Sequence, residues 1–273
     1  MHKKSKDLQL QYEGFLQTPF LWHGKGVFDL VQFDNNVCNT DSFSSTIQKK
    51  LRLGKLVERF VTFELQQKKS IHILAENIQI QREKITLGEL DCLLTQNNIP
   101  IHLEIIYKFY LYDSSKGSNE IEYWIGPNRK DSLSQKLTKL KEKQLPLLYT
   151  KECKNYLKQL KLPIHQIKQQ TYFKAQLFIP INTIKKDYPL INNQCIIGFY
   201  CSLKELSKFS DCKFFIPKKH DWLIIPHTNV HWQIHSTFIQ ELTKFMSEQN
   251  SPLCWLKKSN GELIKFFVVW WSL

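Results

Sequence analysis

Residues 85–112 read ITLGELDCLLTQNNIPIHLEIIYKFYLY, and the prediction of the fold starts from this stretch. Two runs within it, 85–95 and 101–112, have the length and the β-branched and aromatic content of β-strands. The five residues between them, 96–100, are Gln-Asn-Asn-Ile-Pro, a composition typical of a turn. The stretch therefore predicts a β-hairpin.

The register of this hairpin brings two acidic residues together. If Thr95 lies opposite Pro100, then Asp91 lies opposite Glu104, and directly opposed side chains on one face are about 4.5–5.5 Å apart at Cβ. Lys108 shares their face because strand side chains alternate with a period of two. Two carboxylates this close repel each other unless a cation lies between them, and Mg²⁺ binds one or two carboxylates and keeps water at its other positions. The hairpin therefore predicts a Mg²⁺ or Mn²⁺ site with Asp91 and Glu104 as ligands.

The same pattern is also typical of an ordinary half-exposed strand. Leu103, Ile105, Tyr107 and Phe109 would pack under a helix, and the charged residues would face solvent on the other side. On the pattern alone, both interpretations stay open.

The elements around the hairpin predict an α/β fold with a mixed sheet. Residues 51–67 carry an apolar stripe with helical spacing, and Glu58 lies near the edge of that stripe. Strands are predicted at 70–75 and 120–125, and a Lys-rich helix begins near Asp131. The later elements predicted are a helix at 151–160, strands at 172–180, 194–203 and 212–217, helices at 204–208 and 236–249, and a hairpin at 253–271 with a two-residue turn at Asn260-Gly261.

These elements resemble the core of the PD-(D/E)xK nuclease superfamily: a helix with a glutamate, a strand with Gly-Glu-x-Asp, and a strand with Glu and Lys. The resemblance implies a restriction-endonuclease-like α-β-β-β-α-β core. It also implies that Asp91 and Glu104 hold Mg²⁺ or Mn²⁺ and that Lys108 lies near the attacking water. Glu58 would be the helix glutamate of many members, so that the implied catalytic residues are Glu58, Asp91, Glu104 and Lys108.

The chain is more closely similar to an uncharacterised bacterial family within that superfamily, domain-of-unknown-function family 1853. The similarity covers roughly residues 51–146. The matching stretches are Leu53-Gly54 with Glu58; Gly88-Glu89-Leu90-Asp91; His102-Leu103-Glu104 with Lys108-Phe109-Tyr110-Leu111; and Trp124, Gly126-Pro127-Asn128, Asp131, Leu133, Lys136 and Gln144-Leu145. We expect three regions: an N-terminal helical and loop segment at 1–50, the nuclease-like core at 51–180, and a C-terminal extension of strands and a hairpin at 181–273 packed on the core.

The lysine departs from the superfamily pattern, which usually has it two residues after the glutamate. Ile106 occupies that position, and Lys108 lies about 6.6–6.8 Å further along the strand. Two functions therefore stay open: a metal-dependent nuclease that hydrolyses phosphodiester bonds, and a catalytically silent nuclease fold that binds nucleic acid or a protein partner. An unrelated α/β protein with surface acids is a third alternative.

Composition sets the expected surroundings of the protein. The net charge of +13 suits a nucleic-acid partner, DNA rather than RNA, although the Lys, Ile and Asn bias of an AT-rich genome would give the same charge. The seven cysteines include no Cys-x-x-Cys pair, which argues against a common zinc site and for buried thiols in a reducing compartment. No apolar N-terminal region or membrane-length apolar run is present, so we expect a cytoplasmic protein without a membrane partner.

Two histidines and the Lys-rich helix have simple interpretations. His72 and His102 are single strand histidines, which we interpret as surface or cross-strand residues rather than ligands. The lysines of the helix after Asp131, including Lys136, are interpreted as a solvated face that could touch phosphates.

Overall fold

The computed structural model describes residues 2–33, 42–44, 47, 51–183 and 187–271. No helix in this part of the chain combines the length and the apolar character needed to cross a lipid bilayer. The six cysteines within it are free thiols and all are buried, as predicted, while Cys38 lies outside the described residues.

Within the described residues, a ten-stranded mixed sheet forms the centre of the fold. Its strands are β1 Ile71–Arg82, β2 Ile85–Gln96, β3 Ile99–Tyr112, β4 Trp124–Ile125, β5 Lys168–Pro180, β6 Ile196–Ser202, β7 Lys213–Phe215, β8 Gln233–Ile234, β9 Leu253–Lys257 and β10 Leu263–Val269. Their spatial order is β1-β2-β3-β5-β6-β10-β9-β7-β8, and β4 pairs with β3. The run β3-β5-β6-β10 is parallel and the other pairs are antiparallel. Strands on both sides of residue 180 thus share one sheet.

The predicted hairpin and its register are confirmed. β2 and β3 pair antiparallel with Thr95 opposite Pro100, and the turn between them includes Asn97 and Asn98 in the left-handed conformation, with φ of 50° and 63°. Asparagine tolerates this conformation better than most residues, so the Asn-Asn pair suits the turn that the sequence predicts.

The helices are α1 His2–Gln17, α2 Leu53–Gln66, α3 Leu133–Lys139, α4 Lys151–Gln159 and α5 His235–Ser247. α3 continues without a break into a π-helical turn, Leu140–Gln144, and a 3₁₀ turn, Leu145–Tyr149. This extension places Gln144 and the carbonyl of Leu145 where they take part in the site described below.

Helices cover β3 on both faces, and this overturns the interpretation of β3 as a half-exposed strand. On one face Leu103 and Tyr107 join a core with Phe60 of α2. On the other face Ile106 and Tyr110 join a core with the leucines of α3, Leu133, Leu137 and Leu140. Glu104, a charged residue on the second face, is therefore buried rather than solvated, at 0% exposure.

The N-terminal segment, predicted as helical and loop, contains the 16-residue helix α1, which Tyr12 and Phe15 anchor in the core. Other local predictions differ from the structure. The strand predicted at 120–125 shortens to β4, because the side chain of Asn119 accepts hydrogen bonds from the N–H groups of Ile121 and Glu122 and makes a turn. The β9–β10 connection is the five-residue segment 258–262 rather than a two-residue turn, with Gly261 at φ 87°.

Candidate metal centre

β2 and β3 separate next to Asp91. The last pair of their ladder is Cys92 with Leu103, so the predicted opposition of Asp91 and Glu104 falls one pair beyond it. Here the Asp91 side chain replaces a backbone acceptor: its Oδ2 accepts a hydrogen bond from the N–H of Ile105 at 2.9 Å. The carboxylate therefore links the two strands at the point where they diverge, which we call the fork between β2 and β3.

The two predicted ligands act on each other electrostatically. Burial and, after it, the Glu104 carboxylate raise the pKa of Asp91 well above its usual range; the charge of Glu58 adds to this effect, and Lys136 opposes it. A carboxyl group whose pKa is raised by a neighbouring carboxylate lacks compensating positive charge, and a divalent cation would supply it. The donors are oxygens, which Mg²⁺ and Mn²⁺ prefer, so the residues present fit such an ion.

Glu104 is fixed by hydrogen bonds to both of its oxygens. Its Oε1 lies 3.0 Å from Nε2 of His102, and its Oε2 accepts a hydrogen bond from Nε2 of Gln144 at 2.6 Å. His102 and Glu104 are two residues apart on β3 and share a face, and both are fully buried. His102 is thus a buried partner of a candidate ligand. Of the two predicted interpretations, the cross-strand one is confirmed, since His102 pairs with Leu93 of β2, and the surface one is wrong.

The neighbours of His102 determine which ring nitrogen carries the proton. Nε2 of Gln169 lies 2.6 Å from the carbonyl oxygen of Leu145, so it is the donating end of that amide. The same nitrogen lies 3.0 Å from Nδ1 of His102, which therefore accepts. Nε2 of His102 then holds the proton and donates it to Glu104. A chain of hydrogen bonds from β5 thus orients a carboxylate on β3.

The side chain of Lys136, on α3, extends toward Glu104 and Asp91. Its Nζ donates to Oε1 of Gln144 at 2.7 Å, while the amide nitrogen of Gln144 donates to Glu104. Burial lowers the pKa of Lys136 to about 8, and the charges of Glu104 and Asp91 oppose this shift. Lys136 is half-buried beside the carboxylates, so the interpretation of its side chain as part of a solvated face is wrong.

Lys108 lies further along β3, on the same face. Its Nζ makes an ion pair with Oδ2 of Asp131 at 2.6 Å, and both side chains are partly exposed. The structure therefore brings Asp91, Glu104 and Lys136 together and gives Lys108 a different partner.

Glu58 of α2 approaches Asp91 from the other face of the fork. Carboxylate oxygens of Glu58, Glu89 and Asp91 all lie within 4.8 Å of one another. The ammonium group of Lys55 lies among them: its Nζ donates to Oε2 of Glu58 at 2.8 Å, to Oδ1 of Asn77 at 2.7 Å, and to Glu89. Lys55 thus provides the positive charge on this side of the site.

Sequence reasoning assigned no role in the site to His102, Gln144, Gln169 or Lys55. His102 had a usable signal, since a histidine two residues before a strand glutamate shares its face. Gln144 had only its place among the matching stretches. Gln169 and Lys55 reach the site through long-range contacts that no local sequence pattern predicts.

Comparison with known proteins adds a family and no activity. No curated protein and no solved structure matches the chain. A family model described as a domain of unknown function, DUF1853, matches residues 29–269, which is most of the chain and includes every residue of the site described above. The chain therefore belongs to the DUF1853 family.

Proposed function

We propose that the protein is a Mg²⁺- or Mn²⁺-dependent nuclease-like enzyme that hydrolyses phosphodiester bonds of nucleic acid, with DNA as the expected substrate. The observation that carries the proposal is the convergence of Asp91, Glu104 and Lys136 at the fork between β2 and β3. Two carboxylates can hold a divalent ion, and a lysine beside them can stabilise negative charge on a phosphate.

The order of the elements supports the same proposal. α2, β1, β2, β3, α3 and β5 follow one another along the chain, which is the α-β-β-β-α-β order that the resemblance to PD-(D/E)xK nucleases implies. β4 and the helical segment 140–159 are additions to that order. The candidate acids lie on its second and third strands, where the resemblance expects them.

Lys136 is a candidate for the role of the lysine that the superfamily usually has on the strand, two residues after the glutamate. Ile106 stands at the usual lysine position and is packed in the core under α3. Lys136 comes from that same helix and lies within electrostatic range of Glu104 and Asp91. We propose that this helix lysine supplies the positive charge that a strand lysine supplies elsewhere, and the catalytic role expected for Lys108 stays a prediction.

A divalent ion at this site would polarise the phosphodiester and lower the pKa of its bound water. Asp91 and Glu104 would hold the ion, and Glu104 is held ready for it by His102 and Gln144. Lys136 would stabilise the charge that develops on the phosphate oxygens. Glu58 would add negative charge next to Asp91, where it strengthens cation binding.

The test is cleavage of labelled single-stranded DNA, duplex DNA and RNA by the purified chain with Mg²⁺ or Mn²⁺. We expect cleavage that EDTA stops and that the Asp91→Asn and Glu104→Gln chains lack. Metal-dependent shifts in melting temperature, measured on the same chains, show whether both acids bind the ion. Equal cleavage by the wild-type and Asp91→Asn chains would point to a contaminant, and no cleavage with metal bound would leave a silent nuclease fold that binds nucleic acid.

A further inference from the structure

One edge of β3 is open between the candidate metal centre and β4. On one side β3 pairs with β5 from Ile101 to Leu111. On the other side the pairing with β2 ends at Leu103 and the pairing with β4 begins at Leu111. In the described part of the chain, residues 104–110 thus have no strand partner on that side. The acids lie at one end of this gap, and Lys108 lies about 13 Å further along the strand.

Positive charge exceeds negative charge at the far end of the gap. The Lys108–Asp131 ion pair, 2.6 Å long, is partly exposed. Lys219 lies within electrostatic range of both residues: burial of its ammonium group and repulsion by Lys108 lower its pKa to about 8, and Asp131 opposes this shift. Its Nζ is 3.2 Å from the ring centroid of Trp222, a contact that holds it in place. Asp131 is ion-paired with Lys108, and the second ammonium group, that of Lys219, lies near this pair without an ion pair of its own among the described residues. The nearby Arg129 is not counted in this positive charge, because it forms an ion pair with Asp113 at 2.8 Å and stacks on Trp271.

We propose that Lys108 and Lys219 form a subsite for a phosphate of the nucleic-acid backbone, and that the Asp131 carboxylate occupies it when no nucleic acid is bound. The inference rests on the proposed function and names the part of the substrate that this end of the gap binds. The distance from Glu104 makes the bound phosphate a flanking one and not the scissile one. Lys108 then contributes to binding, while Lys136 acts on the reacting phosphate.

The position of Asp131 fits the role of an internal anion. A Cβ at Gly126 would lie 1.9 Å from its Oδ1, so only glycine at 126 lets the carboxylate sit against the backbone and face Lys108. A partly exposed ion pair contributes little net free energy. A phosphate that gains both lysines can therefore displace the carboxylate at small cost.

The experiment measures binding of fluorescein-labelled DNA, single-stranded and duplex, by anisotropy at several salt concentrations. Asp91→Asn chains in EDTA are used, so that no cleavage occurs. Each phosphate that the protein neutralises contributes about 0.7–0.9 to the slope of log affinity against log salt. Because both lysines contact one phosphate, we expect Lys108→Ala and Lys219→Ala each to lower the slope, and the double variant to lower it by about that amount. Lys108→Arg should restore the slope that Lys108→Ala loses. Lys244→Ala, which removes an exposed lysine on α5, serves as the matched control and should leave the slope unchanged.

Asp131→Asn tests the internal anion separately. Without the competing carboxylate, binding should tighten about two- to fivefold. Unchanged or weaker binding would overturn the role of Asp131. Slopes for the two lysine variants equal to that of Lys244→Ala would overturn the subsite, even if the wild-type chain cleaves DNA. If the two lysine variants have lower salt slopes but the wild-type chain never cleaves nucleic acid, the subsite is supported and the nuclease proposal fails. A chain that binds no DNA at low salt overturns the subsite as well.

Discussion

His102 donates a hydrogen bond from Nε2 to Oε1 of Glu104 at 3.0 Å, and neither side chain is exposed to solvent. Gln144 holds the other oxygen, so the carboxylate has one orientation before any ion arrives. Carboxylates that bind metals are commonly oriented by such hydrogen bonds, and their partners affect metal affinity strongly. The relationship therefore makes His102 a positioning residue of the candidate metal centre.

Replacing His102 with leucine should weaken Mn²⁺ binding about 10- to 100-fold, the range typical of lost partners of metal ligands. The cause is that Oε1 of Glu104 loses its donor and the carboxylate can turn. His102→Gln keeps a donor and should recover part of the affinity, which separates orientation from simple loss of packing. Mn²⁺ affinity is measured by electron paramagnetic resonance, with His72→Leu, an exposed histidine on β1, as the control. Equal affinity in the His102→Leu and wild-type chains would contradict the role.

The stability of the metal-free protein should depend on pH through Asp91. Its pKa is raised in the folded protein, first by burial and then by Glu104, so the folded chain holds this proton more tightly than the unfolded chain. The contribution is therefore fully present below the unfolded pKa of about 3.9 and is lost as pH rises toward the folded pKa, at up to about 1.4 kcal/mol per pH unit.

Asp91→Asn removes this dependence. In EDTA, the variant should gain stability relative to wild type as pH rises from 5 to 6.5. Urea unfolding at several pH values measures the difference. The buried Lys174 and Lys265, with pKa values lowered to about 8 and 7, are the same in both chains, so their effects cancel in the difference. Lys136, with a pKa lowered to about 8, titrates mainly above this window. A constant difference between the two chains would refute the prediction.

Lys55→Met should create room for a second metal ion. In the wild-type chain the Lys55 ammonium is hydrogen-bonded to Glu58 and Glu89, which lie next to Asp91. Without it, three neighbouring carboxylates lack that positive charge, and a cation compensates them. We expect Mn²⁺ titration by calorimetry to show one bound ion in the wild-type chain and two in the variant. Lys55→Arg should keep one ion, and Lys143→Met, at an exposed lysine, is the control. Two ions already present in the wild-type chain would rule the prediction out.

The sequence indicated the hairpin and its acids, because strand periodicity and the Asn-Asn turn are local properties. Thr95 opposite Pro100 is the register expected from them. The second face of β3 was harder to predict, because a strand with Glu104 and Lys108 on one side looks amphipathic until α3 is known to cover it. A buried glutamate then requires donors, and these come from distant parts of the chain.

Those donors explain what sequence reasoning missed. Gln169 reaches His102 across 67 residues of sequence, and Gln144 reaches Glu104 across 40. Lys136 has the spacing of a solvated lysine, and only the path of α3 over β3 turns it toward the acids. Lys55 contacts Glu89 across 34 residues. Local periodicity carries no information about such contacts, so the sequence could indicate the two candidate ligands but not the groups that orient them.

The assignment of the catalytic lysine has a direct test. Lys136 lies beside Glu104 and Asp91, whereas Lys108 is paired with Asp131. In single-turnover cleavage with Mn²⁺ and saturating enzyme, binding defects do not appear in the rate, which then reports on the chemical step. Lys136→Met should lower that rate about 100-fold or more, the loss typical when a group that stabilises transition-state charge is removed. Lys136→Arg keeps the charge and should recover part of the rate. Lys108→Met should leave the rate within a few-fold of wild type while weakening the affinity for DNA.

The opposite result is a cleavage rate that falls with Lys108→Met and is unchanged with Lys136→Met. It would assign the catalytic role to Lys108 on the strand. It would also mean that the Lys108–Asp131 ion pair opens when substrate binds.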